Sequence, residues 1–191
     1  MGEVKSSIGD PPFSGHKVCG PKGIGLLYCR DKTPLLRTMD GGTQERTKRA
    51  GTLNTPGIVG LGKAIEIIAQ TKKRSFSKVE DLEKIILDYV ETNPKIILNT
   101  SGERIPGLLN VRVQGIQNED LLIKLDLDGV GVSAGSACSS GAIKASRVLL
   151  NMGLTEKESI SSIRISIGKV NTKREIKRVV KKLDKIIKEW Q

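Results

Sequence analysis

The chain is poor in aromatics, with one Trp, two Tyr and two Phe in 191 residues. Proteins that hold single-stranded nucleic acid usually stack bases on such rings, so the net charge of +11 does not by itself make a nucleic-acid surface. There is one histidine, His16, and three cysteines, Cys19, Cys29 and Cys138, with no CxxC pair among them. That spacing argues against a structural zinc site. An odd number of thiols cannot all pair within one chain, which points to a reducing compartment. No apolar run approaches membrane-spanning length, and residues 1–13 lack an apolar signal core, so a cytoplasmic protein without membrane contact is expected. The glycine-rich stretch Gly20–Gly25 lacks the GxxxxGK[ST] pattern, and no GxGxxG opens a helix after a strand. The phosphate-loop and dinucleotide readings fall with them. No internal repeat and no low-complexity tract interrupts the chain.

What is present is globular: 37% of residues are hydrophobic, enough for one solid core or for a small domain plus part of another. Much of the basic excess is local. From Lys173 onward, eight basic residues face only Glu175, Asp184 and Glu189. Their spacing leaves Ile176, Val179, Val180, Leu183, Ile186, Ile187 and Trp190 on one helical face, an amphipathic helix with a solvated basic side.

The pattern divides the chain into two unequal pieces, 1–72 and 73–191. In the first, Ile24, Leu26, Leu27, Tyr28 and Cys29 make a buried-strand candidate, residues 31–48 are polar and irregular, and Thr55-Pro56 opens a helix to about Gln70. Strands and a helix without enough partners for a sheet read as the C-terminal remnant of a larger domain. The second piece is self-sufficient. Ser77 to Glu80 forms a capping box that starts a separate helix, stopped by Asn93-Pro94. Strands follow at 96–98 and 108–113, a short helix at 118–127, a small-residue loop around Cys138, a helix from about Ala142 to Met152 and another opened by Thr155 to Glu158. Ser162 to Ile167 alternates as a strand, and Thr172 to Glu175 caps the final helix. The expected class is α/β in the first piece and a complete small α+β domain in the second.

Two stretches carry chemistry. Ser14-Gly15-His16-Lys17, followed by Gly20-Pro21-Lys22-Gly23-Ile24-Gly25, offers an amine beside small residues and the lone histidine, suited to a phosphorylated aldehyde such as pyridoxal phosphate. Gly135-Ser136-Ala137-Cys138-Ser139-Ser140-Gly141 offers a thiol among residues of little steric hindrance. A Schiff-base amine and a free thiol are a recognisable pairing for sulfur chemistry. Cys19 and Cys29, in apolar surroundings, read instead as small buried cysteines.

These stretches, with Gly41-Gly42-Thr43-Gln44-Glu45-Arg46 leading to Arg49-Ala50-Gly51-Thr52, then Ile105 to Val111 and Ser162 to Gly168, resemble the cysteine desulfurases in the family's order. Those are fold-type-I pyridoxal-phosphate enzymes, and the form around Cys138 looks like the long-loop class that supplies sulfur for iron–sulfur clusters and tRNA thiolation. The resemblance covers nearly everything from Ser14 onward. It implies that Lys17 forms the Schiff base with the cofactor and moves protons on the substrate, L-cysteine. Ser14 and His16 would contact the cofactor phosphate, and Thr52 would reach the phosphate of a neighbouring subunit's cofactor, which implies a homodimer. Cys138 would be the nucleophile that leaves as a persulfide, and a transient iron–sulfur ligand. Arg164 would clamp the substrate carboxylate with its planar fork. Alternation puts Arg164 on the face of Ser162 and Ser166, opposite Ile163, Ile165 and Ile167.

Members of that family are about twice this length. The part without a counterpart here carries a ring-stacking histidine and an aspartate paired with the ring nitrogen. His16 being the only histidine, the expectation is a truncated or split chain with little activity alone, working with a separate N-terminal half and handing sulfur to an iron–sulfur scaffold or a tRNA-thiolation protein. The alternative is a non-catalytic remnant or a basic module that binds an acidic protein or RNA.

Overall fold

A computed structural model of the chain describes residues 11–190 apart from Lys32, Ser101 and 136–144. It divides into two compact units, 1–72 and 73–191.

In the first unit, strand β1 (Pro12–Ser14) pairs antiparallel with β2 (Gly25–Leu27), Phe13 opposite Leu26. Pro12 is tolerated at the start of β1 because the first residue of a strand need not donate to the ladder. No strand was expected there, so β1 is an addition. The buried strand expected at 24–29 is corrected: Leu26 and Leu27 are 48% and 44% exposed and Tyr28 is exposed as well, since β1 is the one described partner of β2 and covers neither of its faces. Cys19 is exposed and Cys29 half-buried, so neither is the buried cysteine expected.

Helix α1 runs unbroken over Thr55–Thr92, 38 residues, where two helices were expected. No Gly or Pro lies between Gln70 and Ser77, and extending an existing helix adds a bond per residue with no new nucleation cost. Ser77 therefore lies inside the helix rather than at its N-cap. In the first unit α1 buries Leu61 and Ala64. A Cβ on Gly60 would stand 2.7 Å from the Pro21 ring, so the absence of a side chain lets the helix sit against the Gly20-Pro21 turn.

The second unit is an antiparallel sheet, order β3-β4-β5, formed by β3 (Ile96–Leu98), β4 (Leu108–Val113) and β5 (Ser162–Ser166). Its registers place Val111 opposite Ile163 and Leu109 opposite Ile165 on one face, Asn110 opposite Arg164 and Arg112 opposite Ser162 on the other. The apolar face is covered by Val79, Leu82 and Ile86 of α1, Leu121 and Leu125 of α2 (Asn118–Leu127), and Ile176, Leu183, Ile186 and Ile187 of α5 (Lys173–Glu189). Burial of a side chain of that size contributes about 1.5–3 kcal/mol, and this cluster is the unit's principal store of stability. Two short helices, α3 (Arg147–Asn151) and α4 (Glu156–Ser159), precede β5. The helix expected over 142–152 is corrected to α3: Ala145 and Ser146 are not helical, and 142–144 lie outside the described residues. The capping boxes read at Thr155 and Thr172 are both formed.

Glu83 of α1 is 3% exposed yet charged, and it is satisfied by the Arg104 guanidinium and by the backbone N–H of Gly107. A buried carboxylate needs such partners, and here they tie the loop ahead of β4 to the helix.

Candidate active site

Residues Gly15–Val18 form a single 3₁₀ turn at the end of β1. Its first residue, Gly15, is buried; its N–H donates to Ile24 O and its own oxygen accepts from Gly20 N, each at 2.9 Å. A Cβ there would lie 2.8 Å from both Ile24 Cγ2 and Ile24 O, so the position admits only glycine. The turn is thus pinned at its base and presents His16 and Lys17 outward, both exposed. Ser14 Oγ lies 2.9 Å from His16 Nδ1. Cys19 closes the turn in the left-handed region at φ 58°.

The hydroxyl of Ser14 at the end of β1 and the imidazole and primary amine of the turn that follows supply two hydrogen-bonding groups and one nucleophile, a set that could hold a phosphorylated aldehyde such as pyridoxal phosphate. Thr52 is exposed on a separate segment of the same unit. That segment is folded on itself by the Gln44 amide oxygen, which accepts from Gly51 N at 3.1 Å, and by the buried Ala50. Glu45, Arg46 and Thr47 ahead of it all hold positive φ, 51°, 56° and 67°, a costly run for residues with a Cβ.

Arg164 lies in the second unit, on the polar face of β5, half-buried, with its Nε buried and lacking a hydrogen-bond partner. It enters none of the salt bridges among the described residues. Ser133 pairs with it through the backbone in both directions. Cys138, five residues on, lies outside the described residues.

Around Arg164 the structure shows a polar network that the sequence reading missed. Asn99 Nδ2 donates to Asn110 Oδ1 at 2.6 Å and to Ser162 Oγ at 2.9 Å, while its oxygen accepts from Arg112 Nη1 at 2.9 Å. Arg112 also pairs with Glu158 at 3.3 Å. The Glu158 carboxyl is held below its ordinary range, first by the Thr155 backbone N–H, then by the Thr155 hydroxyl, with Arg112 adding to both. Arg112 is therefore neutralised where Arg164 is not. Alternation along β4 could have put Asn110 and Arg112 on one face, but the antiparallel register that sets them opposite Arg164 and Ser162 was needed to find the network.

Three comparisons with known proteins bear on this arrangement. The family profile described as Aminotransferase class-V matches residues 12–179. The chain is 41% identical over 181 residues to a cysteine desulfurase IscS of Clostridium botulinum, covering 93% of this chain and 46% of that protein. It is 38% identical over 179 residues to a putative cysteine desulfurase IscS 1 of Bacillus subtilis, covering 92% and 47%. Among solved structures, a NifS-like protein superposes with a TM-score of 0.83 at 31% identity, over 96% of this chain and 47% of that one. A NifS-like protein from Rickettsia africae gives 0.80 at 28% identity, over 92% and 46%. The chain spans about half the length of the curated relatives it matches. Among the described residues, no helix is long and apolar enough to cross a membrane and no acidic, His or Cys cluster is arranged to hold a metal ion.

Proposed function

The chain belongs to the aminotransferase class-V family, and from that membership and its IscS- and NifS-type homologues we propose that it is the lysine- and cysteine-bearing part of a pyridoxal-phosphate-dependent cysteine desulfurase. The observation that carries the reading is the pinned turn, on which Lys17 stands beside the Ser14–His16 pair with the base of the turn closed by Gly15. The bound cofactor supplies the electron-withdrawing ring that weakens the substrate's carbon–sulfur bond. Lys17 attaches that cofactor and moves the substrate's protons, and Ser14 and His16 hold its phosphate. Thr52 contributes to the phosphate site of a second copy, which makes the working form a homodimer. Arg164 orients L-cysteine by its carboxylate, its unpartnered Nε being a donor free for that purpose. Cys138 takes the substrate sulfur, so that L-cysteine and a thiol become L-alanine and a persulfide, with no net oxidation.

Turnover then depends on the ring-stacking and ring-nitrogen partners that the remaining half of the relatives' length supplies, as a separate chain or as part of the same one. Alone, these residues give little. The sulfur passes in the cytoplasm to an iron–sulfur scaffold or a tRNA-thiolation protein, with Cys138 a transient cluster ligand in the first case.

The test is incubation with pyridoxal phosphate, borohydride reduction and peptide mass mapping. A reduced pyridoxyl adduct on Lys17, absent in Lys17→Ala and retained in Cys138→Ala, is the expected result. Adducts scattered over surface lysines with none favoured at Lys17 would overturn the site assignment.

A further inference from the structure

The polar face of the three-stranded sheet carries a one-way chain of hydrogen bonds that ends beside Arg164. It begins at Glu158, whose carboxyl is held below its ordinary range, so that it stays ionised and only accepts. Arg112 only donates: its Nη2 stands 3.3 Å from Glu158 Oε1 and its Nη1 gives a proton to Asn99 Oδ1 at 2.9 Å. That bond decides which way the Asn99 amide faces. With its oxygen on the guanidinium, its nitrogen meets Asn110 Oδ1 at 2.6 Å and Ser162 Oγ at 2.9 Å. The Ser162 hydroxyl gives its own proton to the Glu158 backbone oxygen at 2.6 Å and is left to accept from Asn99. Asn110 must therefore present its oxygen to Asn99, which turns its nitrogen away from β3.

The next residue in that direction is Arg164. The register sets it opposite Asn110, and its backbone N–H and carbonyl both point the other way, to Ser133. Asn110 and Arg164 are thus a non-hydrogen-bonded cross-strand pair, the kind whose Cα atoms stand only about 4.5 Å apart and whose side chains are nearest. A reversed Asn110 amide would offer Arg164 an acceptor. Held as it is, the amide sets a donor beside a donor, and the buried Arg164 Nε has no partner. Two adjacent donors do not satisfy one another, but an anion with two acceptor oxygens satisfies both.

We propose that Asn110 is a second binding residue for the carboxylate of a small amino acid taken by Arg164, and that Asn99 and Arg112 are positioning residues that keep its amide in the donating sense. The carboxylate bridges Arg164 Nε–H and Asn110 Nδ2–H and is held from β5 and β4 together. Asn99 and Arg112 act without touching it. The proposal rests on the reading of Arg164 as the residue that orients L-cysteine by its carboxylate, and it does not depend on the chemistry of Lys17.

The test is NMR of the full 191-residue chain, isotope-labelled and titrated with L-alanine at fixed ionic strength. The Arg164 Nε–Hε and Asn110 Nδ2 resonances are expected to shift together and to saturate at one concentration, on the order of millimolar for a pair of charge-assisted bonds. L-Alaninamide, which lacks the carboxylate, should move neither. Asn110→Ala should weaken L-alanine about tenfold. Asn99→Asp exchanges one group away from the anion and puts an acceptor where Asn110 now finds a donor, so the Asn110 amide turns over and gives its oxygen to Arg164. The signature is loss of the nuclear Overhauser contact between the Asn110 amide protons and Arg164 Hε, which added charge alone would not remove, together with weaker L-alanine binding. Unchanged resonances of the core residues Leu121, Leu125 and Leu183 in each variant separate these effects from unfolding. A shift at Arg164 alone, or full affinity in Asn110→Ala, would overturn the proposal and leave Arg164 as the carboxylate residue. Retention of both the contact and the affinity in Asn99→Asp would overturn the positioning roles. No shift at either group would overturn the proposal and the reading of Arg164 together.

Discussion

Arg164 and Ser133 exchange both backbone hydrogen bonds, Arg164 N donating to Ser133 O at 2.6 Å and Ser133 N to Arg164 O at 3.1 Å. The segment leaving α2 is thereby stitched to the outer edge of β5, at the residue whose guanidinium keeps a free buried donor. Ser133→Pro deletes one of those donors and leaves the Arg164 carbonyl short of a partner. The variant should lose about 1–3 kcal/mol of stability in urea unfolding, with faster amide exchange at Arg164. Unchanged exchange there would show that the pairing does not hold the segment.

Gly15→Ala inserts a methyl group 2.8 Å from Ile24 backbone and side chain. Neither the backbone nor the branched side chain can withdraw cheaply, so the turn that presents Lys17 should open. The expected result is a pyridoxyl–Lys17 adduct reduced at least about tenfold at fixed cofactor concentration, with the circular dichroism of the second unit retained. Equal labelling of wild type and variant would remove the pinned turn from the argument.

Asn99 joins β3, β4 and β5 through three side-chain bonds, and truncating it leaves Asn110, Ser162 and Arg112 each one partner short. Asn99→Ala should cost about 1–3 kcal/mol, and in a double-mutant cycle with Arg112→Ala the two losses should fall short of additive. Strict additivity would mean that the network is a set of independent contacts.

Glu158, Glu175 and Asp128 all sit below their ordinary carboxylate range, the first two through the N–H and hydroxyl of the residue they cap, the third chiefly through the Lys182 ammonium. A carboxyl depressed in the folded state contributes stability that is complete above its unfolded value, about 4. That contribution is lost as pH falls through the lower folded value. Acid unfolding should therefore steepen below about pH 4, and Glu158→Gln with Glu175→Gln should flatten the profile there. An unaltered acid limb would place the acid sensitivity elsewhere.

The second unit was largely legible in the sequence because each of its signals is local. Alternation over 108–113 and 162–166, the Asn93-Pro94 stop and the capping boxes at Thr155 and Thr172 act within a few residues of themselves. The expectations that failed depended on competition or on cover. Ser77 is a fair N-cap in isolation, yet it lost to propagation of a helix already formed from Thr55. Leu26, Leu27 and Tyr28 are apolar enough for a core strand, but apolarity cannot say whether anything lies against them. The closeness of Ser14, His16 and Lys17 was plain from their order, whereas the turn that exposes His16 and Lys17 and the Ser14–His16 contact came from the structure. The roles of Asn99, Asn110 and Arg112 required a strand register that joins residues about fifty positions apart.

The buried N–H of Gly15, bonded to Ile24 O, also gives the first unit an internal clock. Hydrogen exchange at that single amide proceeds only when the base of the turn opens, so its rate measures the lifetime of the platform on which Lys17 stands. A ligand that settles on Ser14, His16 and Lys17 should slow the clock in proportion to its occupancy. One resolved resonance thus reports binding to this turn without any turnover.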